Sequence, residues 1–190
     1  GILLGQMMKA IEKFDLSKIP HNSAEYIQLL TEIERRAFAD RSDLMGDPDF
    51  MNLPVYEFMD EEYIEERMKS FSWEEATPSS EIKPGEVIFN ESDETTHFSI
   101  IDKSGNAVSV TTTLNNSFGS KVYLENSGFF LNNEMDDFSS KPGYPNFFGV
   151  LGSEANSIQP GKRMLSAMTP TIVLKNNKPK LILGSPGGPS

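Results

Sequence analysis

Cysteine is absent from the 190 residues. That removes disulfides, thiolate metal sites and a cysteine nucleophile. Histidine is nearly absent, with only His21 and His97. A serine–histidine–acid triad would have to draw on one of them, and a histidine-rich metal centre has no material. No cofactor or metal is expected. Basic residues are outnumbered, 17 Lys and Arg against 28 Asp and Glu, for a net charge of -11 at pH 7. Nucleic acid needs clustered cations to meet its phosphates, so it is not an expected partner. Nowhere do about 18 apolar residues run together, which leaves no candidate membrane-spanning helix. The opening Gly1-Ile2-Leu3-Leu4-Gly5-Gln6 lacks a basic stretch and a small-residue cleavage site, so it does not read as a signal peptide. Both ends read as the interior of a longer protein.

What is present is a globular composition, 37% hydrophobic and 24% charged, long enough for one ordinary core. Two textures divide it. Up to about residue 70 the period is helical: Leu4, Met7, Met8, Ile11 and Phe14 recur at three- and four-residue steps. Asn22 and Ser23 offer an N-cap, with Glu25 three residues after Asn22 as in a capping box. Tyr26, Leu29, Leu30, Ile33 and Ala37 then form a second stripe. Asp40 to Leu53, with Gly46 and Pro48, reads as a loop, and Glu61 to Met68 as a short acidic helix. From 71 to 94 no period holds, and Asn90-Glu91-Ser92-Asp93-Glu94 reads as an exposed, mobile polar loop. After it the texture turns to strand: His97 to Asp102, Ala107 to Leu114, Thr171 to Leu174 and Leu181 to Leu183. The polar turn Asn176-Asn177-Lys178 joins the last two.

The first two strands flank Asp102-Lys103-Ser104-Gly105-Asn106. A three-residue hairpin loop commonly ends on a left-handed residue, a place Gly105 suits. Asp102 then opposes Asn106, and counting back along both strands sets Thr95 opposite Thr113. Strand periodicity alone makes Thr111-Thr112-Thr113 ordinary strand threonines. The junction raises a second reading, because a polar loop ends where a strand begins. A cut before Thr95 would give it a free α-amine beside its own hydroxyl, a nucleophile with its base attached. Such an amine titrates at about 7.7–8.0 and accepts a proton near neutral pH. No histidine is needed.

The run Thr95-Thr96-His97-Phe98-Ser99 closely resembles the start of the small subunit of gamma-glutamyltransferases, also called gamma-glutamyltranspeptidases or glutathione hydrolases. The likeness continues through Asp102 to Thr111, Leu131 to Phe138, Gln159 to Arg163 and Gly184 to Gly188. Upstream, Ala39-Asp40-Arg41-Ser42, Gly46 to Phe50 and Pro78 to Ile82 resemble the end of the large subunit. The resemblance implies an α+β fold, a partial αββα sandwich of the N-terminal-nucleophile hydrolases. It divides the chain into 1–94, the mainly helical end of the large subunit, and 95–190, the β-rich start of the small subunit. It also implies a precursor that cuts itself between Glu94 and Thr95. The nucleophile then takes a gamma-glutamyl group from glutathione or another donor, and water or an amino-acid or peptide acceptor releases it. The remainders of both subunits are implied partners, and the isolated chain is expected to be inactive. The family's habit implies a periplasmic or extracellular location.

By the same resemblance Thr95 matches the nucleophile and Thr113 its hydrogen-bonding threonine. Asn115, Glu134 and Asp137 match residues holding the donor's α-amino and α-carboxylate ends. Ser166 matches a carboxylate-binding serine, and Gly187 and Gly188 the oxyanion-hole N–H donors. Without the resemblance, Glu134 to Asp137 reads as a solvated acidic turn and the glycine pair as a plain turn. The arginine that grips the donor carboxylate in this family is expected outside this chain. Three positions depart from the family pattern. Ala167 stands where many relatives carry a second serine, Pro189-Ser190 where many carry Ser-Arg, and Phe148 where a tyrosine often stands, in a stretch (Pro142 to Ser153) resembling a lid loop. Two competing readings are a glutaryl or cephalosporin acylase of the same superfamily and a non-catalytic homologue.

Overall fold

The structure, a computed structural model, describes residues 1–82 and 95–187. The polar loop before Thr95, the Glu94–Thr95 junction and Gly188 lie outside the described residues.

Three helices build the first part: α1 (Ile2–Ile11), α2 (Ala24–Leu44) and α3 (Glu61–Met68). Their apolar stripes meet at Ala10, Leu29, Ile33 and Ile64, with Met7, Ile11, Phe14, Met68 and Phe71 packed around them. Phe14, Phe71 and Trp73 close one end in edge-to-face contacts, ring centroids 4.9–5.9 Å apart. Among the described residues no helix is long and apolar enough to cross a membrane.

Two details differ from the expected pattern. Ser23 caps α2, its hydroxyl accepting from the Tyr26 N–H at 3.1 Å, while Asn22 turns left-handed at φ 61°. The capping box therefore does not form as Asn22 with Glu25. The expected loop from Asp40 is helix as far as Leu44. Its polar residues are tied into the core. Asp40 pairs with Arg67 at 3.0 Å and accepts from Gln6 at 2.5 Å. One helical turn back, Arg36 pairs with buried Glu32, a further turn back, and Arg36 also donates to Ser70, Thr77 and the Arg67 carbonyl. Burial alone would raise the Glu32 carboxyl, but hydrogen bonds from Arg36 and Thr77 hold it below its ordinary range. Helical propensity cannot reveal such a network, because its partners lie more than thirty residues apart.

The second part is built of hairpins. Strand β1 (Thr95–Ile101) pairs antiparallel with β2 (Ala107–Thr113), in the register Thr95 opposite Thr113 through Ile101 opposite Ala107. Gly105 sits at φ +86° and the Asp102 N–H donates to the Asn106 carbonyl at 3.0 Å, as the loop length predicts. A two-residue β3 (Tyr123–Leu124) pairs with β4 (Phe129–Phe130), a hairpin too short to leave a readable period. Strand β5 (Thr171–Lys175) pairs with β6 (Lys178–Leu183) through left-handed Asn176 and Asn177, so Lys178 belongs to the strand rather than the turn. The end of β6 leans on the first hairpin, where the Ser109 hydroxyl donates to the Leu183 carbonyl at 3.0 Å. Ile100, Val108, Ile172, Leu174 and Leu181 stay exposed on these strands. The architecture is mixed helix and sheet, with each sheet two-stranded among the described residues.

One polar seam joins the parts on either side of residues 83–94. Asp47 is buried and accepts from the Arg163 backbone N–H at 2.8 Å, from Nε at 3.1 Å and from Nη2 at 2.6 Å. These bonds hold the Asp47 carboxyl well below the usual carboxylate range. A carboxyl depressed in the folded state stabilises above its unfolded value, about 3.9. That stabilisation is lost as pH falls through the depressed folded value. Asp49 reaches the same guanidinium at 2.5 Å but from solvent. In the full-length protein, Asp47→Ala should therefore lower the melting temperature clearly at pH 7 and Asp49→Ala little. Equal effects in differential scanning calorimetry would show that burial is not what matters.

Candidate functional site

Thr95 opens β1 and Thr113 closes β2, so the register places them side by side at one end of the hairpin. The Thr113 hydroxyl accepts from the Asn115 N–H at 3.0 Å, which draws the chain into a left-handed turn at Asn115, φ 75°. Asn115 is buried, and its amide donates to the Asn133 carbonyl at 3.3 Å. That bond brings the 3-10 turn Glu134–Asp137 up beside the hairpin end. Asn156 donates to the Asp137 carbonyl at 2.8 Å and fixes the turn from behind.

These elements enclose a cleft lined by Thr95, Thr113, Asn115, Glu134, Asp137, Ser166 and Gly187, every described member of the expected set. Ser166 accepts from the Met168 N–H at 3.0 Å, which leaves its own proton available to a ligand. Tyr144, Asn146, Phe148, Val150 and Gly152 bring the lid-like stretch into the same wall, and Phe148 is buried there. Glu134 to Asp137 is therefore not a solvated acidic turn. Burial raises Glu134. Burial, then the charge of Glu134, pushes Asp137 up to about 6, Asp136 adding to the rise and Arg41 opposing it. Ionised, the two carboxylates suit an ammonium group. Among the described residues no group of three or more His, Asp or Glu is placed to share a metal ion.

Gly187 reaches the cleft along the segment that leaves β6. His97 controls the start of that segment. Its ring shares hydrogen bonds with Thr111 Oγ1 at 2.8 Å and Ser99 Oγ at 3.0 Å, and it packs closely against Gly184. A Cβ on residue 184 would overlap the ring. Glycine here permits close approach rather than an unusual dihedral.

The gamma-glutamyltranspeptidase family model matches residues 1–190. The chain belongs to the gamma-glutamyltranspeptidase family. It is 47% identical over 188 residues to the glutathione hydrolase proenzyme of Escherichia coli, covering 99% of this chain and 32% of that protein. Against the glutathione hydrolase proenzyme of Pseudomonas aeruginosa it is 50% identical over 190 residues, covering 99% and 33%. The chain thus spans about a third of the length of these relatives. An acylase proenzyme of a Pseudomonas species is more distant, 34% identical over 187 residues, covering 98% and 31%. The fold matches the cephalosporin acylase of Bacillus halodurans with a TM-score of 0.69 at 21% identity, over 94% of this chain and 29% of that one.

One cleft residue of this gamma-glutamyltranspeptidase chain escaped the sequence reading. Arg41, in the last turn of α2, lines the same wall. The stripe Ile33–Ala37 reaches Arg41 at the next four-residue step, but reading Asp40 onward as loop hid it. The contact between His97 and Gly184 generates a prediction for the full-length protein. Gly184→Ala should cost about 1–3 kcal/mol through overpacking. Combined with His97→Ser it should cost less than the two single substitutions summed. Strict additivity in chemical unfolding would mean that the ring does not set this contact.

Proposed function

We propose that the full-length protein is a self-processing gamma-glutamyltransferase and glutathione hydrolase that works through Thr95. The observation that carries the reading is the cleft: Thr95 and Thr113 stand at the hairpin end, facing the two carboxylates Glu134 and Asp137. In the precursor the Thr95 hydroxyl attacks the Glu94 carbonyl and the acyl group shifts from nitrogen to oxygen. That shift frees the Thr95 amine, and water then cleaves the ester, releasing the Glu94 carboxylate and the Thr95 hydroxyl. In the mature enzyme this amine takes the hydroxyl proton as the oxygen attacks the donor's γ-carbonyl. Backbone N–H groups of Gly187 and Gly188 receive the oxyanion. The amide nitrogen leaves protonated, and water or an amino-acid acceptor releases the gamma-glutamyl ester. Thr113 holds the nucleophile's oxygen.

Asn115, Glu134 and Asp137 hold the donor's α-amino end, and Ser166 its α-carboxylate. Ala167 offers no second hydroxyl there, and Phe148 contributes a ring without a phenol. In this reading residues 1–94 end the large subunit and 95–190 begin the small one, within an αββα sandwich whose remaining strands cover the exposed apolar faces. The compartment is periplasmic or extracellular. An acylase of the same fold is the second reading, but a glutaryl side chain brings no ammonium to meet Glu134 and Asp137.

The test compares turnover of a gamma-glutamyl anilide and a glutaryl anilide by the full-length protein. Preference for the glutaryl compound would reverse the assignment. Thr95→Ala should remain one chain on a denaturing gel and turn over neither substrate. If it is still cut before residue 95, the proposed processing is wrong. Asp137→Ala should leave processing intact while removing about 3–5 kcal/mol of donor recognition, because the ammonium loses its buried partner. Loss of processing to the same degree would make Asp137 structural instead.

A further inference from the structure

The cleft carries one cation that the proposed mechanism does not use. Arg41 comes from the part before residues 83–94, whereas Asp137 comes from the part after them. Both line the cleft. Two contacts brace them through one short turn, Glu154–Asn156. The Ser153 hydroxyl donates to the Asp43 carbonyl at 2.7 Å, holding the end of α2. Asn156 donates to the Asp137 carbonyl at 2.8 Å and accepts from the Leu165 N–H at 3.1 Å. The Arg41 guanidinium has no carboxylate within 4.0 Å among the described residues, yet it acts on Asp137 through its charge. A cation so placed is not spent on a tight ion pair. It sits where the last turn of a helix favours positive charge.

We propose that Arg41 is a positioning residue that keeps Asp137 ionised in the empty cleft, so that an arriving α-ammonium meets a carboxylate rather than a neutral acid. The charges around Asp137 explain the need. Burial and the charges of Glu134 and Asp136 on its own turn oppose its ionisation, and the positive charge of Arg41 from α2 favours it. Tyr144 from the lid-like stretch lines the same wall, and a free Thr95 amine from β1 would add a group that is cationic below about pH 7.7 once the chain is cut. In the mature enzyme the Arg41–Asp137 interaction then crosses between subunits, which ties donor recognition to their correct assembly. The inference rests on reading the cleft as a gamma-glutamyl site.

The test uses the full-length, processed enzyme and L-glutamate as a competitive inhibitor of gamma-glutamyl anilide turnover. L-glutamate has the recognised α-ammonium but forms no acyl intermediate. Its inhibition constant is measured from pH 5 to 8 for the wild type, Arg41→Gln and Arg41→Lys. Wild-type affinity should fall with acid through a midpoint near Asp137's value of about 6. In Arg41→Gln the midpoint should rise by up to about one pH unit, the scale of a nearby charge. Affinity at pH 6 would then be about fivefold weaker and at pH 8 nearly unchanged. Arg41→Lys should restore the midpoint. If the glutamine variant fails to process, the lysine variant decides alone: a wild-type midpoint supports the charge role, and a raised midpoint or failure to process overturns it. A loss of affinity equal at every pH would mean that Arg41 grips the ligand directly and would overturn the proposal. So would an unmoved midpoint. If L-glutamate does not compete in the wild type, the reading of the cleft itself falls, together with the role of Arg41.

Discussion

The turn closed by the Asp102 carboxylate decides where Thr95 stands, and most of the site follows from that. Asp102 accepts from the Ser104 and Asn106 N–H groups at 2.8 and 2.9 Å and from the Asn106 side-chain amide at 2.7 Å. Gly105 supplies the one left-handed residue that the loop requires. With the turn closed in this way, the strands can pair in only one register. A slip of one residue would send Thr95 and Thr113 to opposite faces. The same pairing aligns His97 with Thr111 and Ser99 with Ser109, a polar face on which the end of β6 and Gly184 come to rest.

The second constraint is electrostatic. The cleft half-buries two carboxylates, which would favour protonation if left unopposed. One cation on the same wall counteracts that tendency without forming a tight pair. Under the proposed function, an ammonium ligand then enters without first displacing a salt bridge. The cation and the carboxylates come from opposite sides of residues 83–94, so the site exists only while the two parts remain docked. The bond between buried Asp47 and Arg163 and the bond from Ser153 to the Asp43 carbonyl provide that docking. Polar, directional contacts fix relative position more sharply than apolar packing does, which would suit a seam that outlives the proposed cut before Thr95.

Much of this was legible because it is local. The stripe through Leu29 and Ile33 needs only the helical period, and the Thr95–Thr113 pairing needs only a turn type and a count. Membership of the family was legible because its motifs are long and occur in order. The misreadings have a common cause. Asp40 to Leu44 carries polar residues that look like loop until Arg67 and Gln6 are seen to satisfy Asp40. Asn22 looked like a cap, but Ser23 had the better reach to the Tyr26 N–H. Arg41 was hidden because the helix carrying it, which runs to Leu44, had been ended before Asp40.

The sequence by itself determined most of the longer elements, the register of the first hairpin and most of the residues with chemical potential. Each of these depends on backbone preference or on neighbours a few positions away. Only the tertiary structure decided that Glu134 and Asp137 form part of a cleft wall, that Phe148 is buried beside them, and that Arg41 faces them from another part of the chain. An acidic turn in solution and an acidic turn in a cleft have the same local sequence. What separates them is the loss of water and the arrival of distant charges, and these are properties of the folded assembly rather than of any segment.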